Sequence, residues 1–225
     1  VVGSYLLDTL EEVPDWFQFK HHYILHTLDS QLLLQLLTAI AEHRQIKLTN
    51  ASLRKAEREV VHPVYPLKIF ISTQGGRQYL LCWHYRFRKL MFFRLDYIRK
   101  VEPGDIEQHP ELYEEHDRRF RPHQWGTSVG PGRKLDHIDV TLLYGPGEEH
   151  IPRRLEREKR CGTVELPEEG VCRYIADVYD AEELLPWLRT FIGRITRLEC
   201  SNPDVVRRFY EDLEQMAKLY GGEDG

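Results

Sequence analysis

Cysteine is scarce in this 225-residue chain, with four residues, and methionine scarcer, with two. None of Cys82, Cys161, Cys172 and Cys200 belongs to a CxxC pair, and no charged leader followed by an apolar stretch marks an export signal. We therefore expect reduced thiols packed in the cores of a cytoplasmic protein. Long apolar runs are missing too, which excludes a helical membrane span. Catalytic signatures are equally short. No serine stands in a GxSxG context, and Gly130-Pro131-Gly132 lacks the spacing and the following helix of a phosphate-cradling loop. Cys82 lies in an apolar stretch, which raises a thiol pKa rather than lowering it. Glu148-Glu149 and Glu168-Glu169 fall at expected surface turns. His22 and His26 have a spacing able to hold zinc on a helix, but no further ligand is in place. His109 and His116 read as solvated linker. From these absences we expect no enzyme activity, no cofactor and no structural metal.

What is present is a chain able to bury a core. Its 41% apolar and 30% charged residues suit one large folded domain or two small ones. The formal charge of -5 argues against a chain coating nucleic acid over its whole surface. That charge is unevenly spread. Between Arg77 and Lys100 stand seven basic residues and one acid, Asp96, so this segment carries +6 and the rest of the chain -11.

The first 30 residues read as a linker from an upstream domain, since Val1 rather than Met opens the chain. Leu32, Leu33, Leu36, Leu37 and Ile40 recur at helical spacing, so 31–43 is an amphipathic helix behind an Asp29-Ser30 cap. Ile46-Lys47-Leu48 starts a strand. Further strands are expected at 59–62, 67–72, 77–85 and 90–98, with a tight turn at Gln74-Gly75-Gly76. Residues 104–133, bounded by Pro103-Gly104 and Gly130-Pro131-Gly132, read as a linker with a polar helix at 110–119. The remaining stretch, 134–222, follows a β-α-β-β-α-β order with a final helix, the split-βαβ pattern. Asp180 and Glu183 are spaced as a capping box, and Asn202 with Pro203 opens the last helix. Helix 148–160 is a mixed-sign run in which Glu156 and Arg160 are spaced to pair.

Two of the strands carry the most informative pattern. Gly76-Arg77-Gln78-Tyr79-Leu80-Leu81 is followed by Phe92-Phe93-Arg94-Leu95-Asp96-Tyr97-Ile98, and aromatics interleave with arginines throughout. Stacking surfaces beside guanidinium groups suit flat anions, whereas a barrel core with snorkelling arginines gives the same composition. The pair of strands resembles the signature of the WYL family, with Tyr79 and Leu80 in the Tyr and Leu positions and Phe93, Arg94, Leu95, Asp96 and Ile98 in the second strand. Gln78 stands where the family has Trp, and Tyr97 where it has a basic residue. Residues from about 135 to 220, with Glu183-Leu184-Leu185-Pro186-Trp187-Leu188 before Phe191-Ile192-Gly193, resemble the extension that follows the WYL domain in such proteins.

The resemblance implies an α+β chain: a small Sm-like β-barrel over 31–103, a linker over 104–133 and a ferredoxin-like extension over 134–222. It implies the ligand-sensing region of a bacterial transcriptional regulator, with a winged helix upstream that binds DNA. A nucleotide or single-stranded nucleic acid is the expected anionic ligand, and a homodimer the expected assembly. The alternative is a nucleic-acid-binding module acting directly. Alternation along the strands puts Arg77, Tyr79, Trp83 and Tyr85 on one face and Gln78, Leu80 and Cys82 on the other. The Leu80 side suits the core. We therefore expect Arg77, Tyr79 and Arg94 to converge on the anion, with Trp83 extending the surface and Arg86 and Arg88 at its rim. Asp96 is placed to pair with Arg94 instead.

Overall fold

A computed structural model describes residues 30–51, 59–72, 77–129 and 134–221. The chain is α+β, with antiparallel sheets, and divides into two compact units between Asp117 and Arg118. The 1–29 segment, the Gln74–Gly76 turn and the 130–132 turn of the sequence reading lie outside the described residues, as do His22 and His26.

In the first unit α1 (Ser30–Ala41) precedes β1 (Arg44–Ala51), β2 (Glu59–Ser72), β3 (Arg77–His84), β4 (Lys89–Arg94) and β5 (Ile98–Ile106). Helix α1 buries Leu32, Leu33, Leu36 and Ala39, one stripe at three- and four-residue spacing, against Ile46, Leu48, Val64, Leu80, Cys82, Phe93 and Val101. Strand order is β4-β3-β2-β1-β5. Two expectations need correction. Segments 59–62 and 67–72 form one strand, not two. Pro63 and Pro66 are tolerated because β2 changes partner along its length: residues 59–64 pair with β1 and 64–72 with β3, with a register shift at Pro66–Lys68. Segment 90–98 is likewise no single strand, for β4 ends at Arg94 and a 3-10 turn, Leu95–Tyr97, leads into β5.

That turn forces the sheet to curl. Phe70 of β2 leads through Tyr79 to Arg94, while Val60 leads through Asn50 to Ile98. Ten residues of straight strand separate Phe70 from Val60 by about 33 Å. Yet Arg94 and Ile98 are four residues apart, so at most about 14 Å. Only a sharp bend in β2 and a rolled sheet satisfy both. Among the described residues β4 and β5 do not pair, so the roll is not a closed barrel.

Residues 104–133 hold more structure than a linker. They include the end of β5, helix α2 (Pro110–Phe120) and a 3-10 turn at Arg121–His123. Phe120 and Trp125 are buried in the second unit, Phe120 stacked on Tyr179 and Trp125 tilted on Trp187.

The second unit contains β6 (Asp136–Leu143), α3 (His150–Glu158), β7 (Thr163–Glu168), β8 (Val171–Val178), α4 (Leu185–Leu188, between 3-10 turns), β9 (Ile195–Cys200) and α5 (Pro203–Tyr220). Its sheet runs β7-β8-β6-β9. Strict alternation puts Ile138, Val140 and Leu142 of β6 and Cys172, Tyr174, Ala176 and Val178 of β8 in one core with Leu155, Leu184, Leu188 and Phe209. The opposite face is polar, with Arg173 bridged to Asp139. Asp180 does cap its turn, accepting from the Glu182 amide, but Glu183 closes no capping box. Its carboxylate accepts from the amides of Thr127 (3.0 Å) and Ser128, so it serves the loop before β6. Burial pushes the Glu183 carboxyl up against those two bonds. Arg160 lies beyond α3, donating to the Trp125 carbonyl at 2.6 Å, and Glu156 pairs with Lys159 instead.

Candidate functional site

The hairpin β3–β4 shows its alternation in register. Leu80 faces Phe93 and both enter the core, whereas Tyr79 faces Arg94 on the outer side. Phe70 of β2 completes that outer row, being the register partner of Tyr79. Phe70, Tyr79 and Phe92 form a half-buried aromatic triad with centroids 5.7–6.3 Å apart, in the range where edge-to-face and tilted pairs attract. At its edge the Arg94 guanidinium is clasped by both carboxylate oxygens of Asp96 and lies 4.3 Å from the centre of the Tyr97 ring. Hydrogen bonding to Asp96 holds the Arg94 charge in place and raises its pKa further. Arg77 is exposed at the start of β3, two residues from Tyr79.

Tyr79 and Arg94 are thus brought together, with Arg77 on the same face. Arg99 and Lys100, both exposed, stand in β5 just past the 3-10 turn, with Lys100 paired to Glu102 at 2.9 Å. Phe70 is a surface the sequence reading missed. It was legible in the alternation of Lys68-Ile69-Phe70-Ile71, which points Phe70 away from the core-facing Ile69.

The other expected residues lie elsewhere. Arg86 and Arg88 sit in the turn at the far end of β3, seven strand residues beyond Arg77, or about 23 Å. They do not rim the Tyr79–Arg94 row. Trp83 is on the expected face but is already covered. It stacks on His116 at 4.3 Å and 14°, with Tyr113 at 5.6 Å. Tyr113 also meets Tyr65 and Tyr85, and Lys68 grips the buried Asp117 at 2.6 Å. Tyr85 donates to Glu107 at 2.6 Å, and Gln45 donates to the same oxygen. Burial works against the Glu107 charge, but these bonds hold its carboxyl below the usual range. Trp83 therefore seats α2 on the sheet. His116 is part of this seat rather than solvated linker, a fact no local pattern signals.

Burial pushes the thiols of Cys82, Cys161, Cys172 (to about 11) and Cys200 up, away from the nucleophilic form. Among the described residues no three His, Cys, Asp or Glu side chains cluster as metal ligands. No helix among them is long and apolar enough to cross a membrane. The first unit also has a cavity of about 410 Å³ between α1 and strands β1 and β5, walled by Leu34, Ala39, Ile46 and Val101. Its one cation, Arg44, is committed to Glu42 and the Gly104 carbonyl, so its wall has no spare charge for an anion.

The WYL domain family model matches residues 31–103. About a third of the chain is thus similar to the WYL domain. The match spans α1 and most of the rolled sheet, including the Tyr79–Arg94 row. No curated protein matches the chain. Among solved structures, a CRISPR Cas-related protein superposes with a TM-score of 0.58 at 12% identity, over 87% of this chain and 54% of that one, a likeness of fold alone. Proteasome accessory factor B/C of Arthrobacter aurescens aligns over 87% of this chain and 28% of its own, at 15% identity and a TM-score of 0.39. The chain thus spans about half, or less, of these two neighbours.

Proposed function

We propose that this chain is the ligand-sensing region of a WYL-domain transcriptional regulator and takes an anionic ligand, a nucleotide or a short single strand of nucleic acid. The observation that carries this is the outer row of β2, β3 and β4. It sets an aromatic platform, Phe70, Tyr79 and Phe92, beside the guanidinium of Arg94 and the exposed Arg77. Bases stack on such platforms and phosphate accepts from guanidinium. Asp96 holds Arg94 flat and offsets one charge, leaving the Arg77–Arg94–Asp96 group net positive. In this reading ligand binding biases an upstream winged helix on DNA, in a cytoplasmic homodimer without catalysis. Two architectural readings accompany it. The rolled helix-plus-five-strand unit is Sm-like, supported by the strand order and by the short β4–β5 link. The second unit is ferredoxin-like, supported by its β-α-β-β-α-β succession and β7-β8-β6-β9 order.

Replacing Arg77 or Arg94 by alanine is expected to weaken binding of nucleotides and short single-stranded oligonucleotides by about 1.5–3 kcal/mol each. Stability should fall by no more than about 1 kcal/mol, because the Arg94–Asp96 pair is partly solvated. Folded variants that bind such ligands as tightly as the parent would sink the proposal. Salt separates it from a module acting directly on nucleic acid. Such a module loses affinity with a log-log slope of about -0.7 per single-strand phosphate neutralised. A pocket for one small anion gives a much shallower slope. The basic residues favour a single small anion, being split between the Arg77–Arg94 end and the far turn of the hairpin rather than joined in one strip.

A further inference from the structure

At the end of the hairpin away from the ligand row, two histidines meet on the inner face of the rolled sheet. His62 of β2 and His84 of β3 share a hydrogen bond, Nδ1 of His62 to Nε2 of His84, at 3.0 Å. His84 is 1% exposed. Its other nitrogen, Nδ1, accepts from the Phe87 amide at 3.3 Å. The His62 ring packs on Phe93 at 4.8 Å and the His84 ring on Phe87 at 4.4 Å.

This chain of bonds dictates the protons. An amide can only donate, so His84 Nδ1 is bare and the His84 proton sits on Nε2. That proton is donated to His62 Nδ1, which is bare in turn. No nitrogen within the pair can take another proton without breaking a bond. Protonating His62 Nδ1 sets two donors face to face between the rings. Protonating His84 Nδ1 does the same against the Phe87 amide.

We propose that the His62–His84 pair is a proton-operated latch on the turn Tyr85–Arg88. Closed, it fixes Phe87 over the end of the sheet, in a turn where Arg88 adopts a left-handed φ of 50° and its amide bonds the His84 carbonyl at 2.7 Å. Opened by acid, it frees the turn that carries Arg86 and Arg88, whose display then depends on pH. The inference does not rest on ligand binding at the outer row, although the His62 ring packs on Phe93, which lies between Phe92 and Arg94 of that row.

The surroundings set the direction. Burial lowers both pKa values; for His84 the charge of its partner lowers it further, a hydrogen bond to its own backbone opposes this, and the charges of Arg86 and Lys89 lower it again, the net direction being down. Among the described residues the other elements bring no ionised group to the pair. Opposite His62 stands Leu48 of β1, and beyond it Val101 of β5. Helix α1 has no ionisable side chain, and β4 offers Phe93 besides Lys89. Both rings are therefore neutral when closed. The unfolded or open turn takes protons near the ordinary histidine value of 6.5, the folded pair only below it. The closed form is thus fully favoured above about pH 6.5 and loses ground as pH falls from there towards the lowered values.

The test follows the full chain by NMR from pH 7.5 to 5. Ring ¹⁵N shifts should show both rings protonated on Nε2 and bare on Nδ1 at pH 7.5. Protection of the Phe87 amide, corrected for its intrinsic exchange rate, should fall by up to about tenfold per pH unit once below 6.5. The His62→Gln/His84→Gln double variant keeps a donor and an acceptor at each site but cannot titrate, so its Phe87 protection should not change with pH. The latch is refuted if the parent rings gain protons while Phe87 protection holds, or if His84 carries its proton on Nδ1 at pH 7.5. The parent readings stand by themselves should the double variant fail to fold.

Discussion

Gly162→Ala is expected to destabilise the second unit by about 2–5 kcal/mol. Gly162 has φ +80°, where an L side chain meets its own backbone. That conformation costs roughly 1–2 kcal/mol for alanine. The added Cβ would also stand 2.5 Å from the Ile175 carbonyl oxygen and 2.7 Å from the Ala176 Cβ, both in β8, next to the buried Tyr174. β8 is central in its sheet and cannot retreat without disturbing β6 and β7, so overpacking adds about 1–3 kcal/mol. Gly193→Ala is the control. No atom lies within 4 Å of its would-be Cβ and its φ is not positive, so stability should change by less than about 1 kcal/mol. Urea unfolding of the two variants reads both numbers. Equal midpoints would mean that the 162 turn is not built as described.

Trp83→Ala should cost about 3 kcal/mol, the lower end for a large aromatic because Trp83 is half-buried. The loss comes from the stack on His116 and the contact with Tyr113, which hold α2 against the sheet. Amide exchange along 110–117 should quicken as that seat loosens, while Lys68–Asp117 retains part of it. Binding of nucleotides by the folded fraction should stay near the parent value. Weaker binding with unchanged stability and unchanged exchange would restore Trp83 to the ligand surface.

Much of this was legible from residue patterns. The Leu32–Ile40 stripe gave α1, and the alternation of Gln78, Leu80 and Cys82 against Arg77, Tyr79 and Trp83 gave the two faces of β3. The Arg94–Asp96 pairing was likewise readable, because the two are near neighbours in sequence. What escaped was set by partners far along the chain. The joining of 59–62 to 67–72 depends on β2 having different neighbours at its two halves, which offset the missing amides of Pro63 and Pro66. Glu183 has the spacing of a capping box, but loop 125–128 presents two amides that its carboxylate reaches instead. The rim role given to Arg86 and Arg88 ignored strand length. The covering of Trp83 by His116, and the meeting of His62 with His84, are products of tertiary packing that leave no periodic trace.

The central claim is that an anion binds on the Phe70–Tyr79–Arg94 row. It is tested most directly by titrating the ¹⁵N-labelled chain with a 5′-phosphorylated single-stranded pentanucleotide, and separately with a mononucleotide, and following every backbone amide. The account predicts saturable shifts centred on Phe70, Arg77, Tyr79, Phe92 and Arg94, with the amides of Arg86 to Lys89 and those around the α1 cavity unmoved. Shifts centred on the cavity or on the 86–89 turn, with the Tyr79–Arg94 row silent, would contradict it.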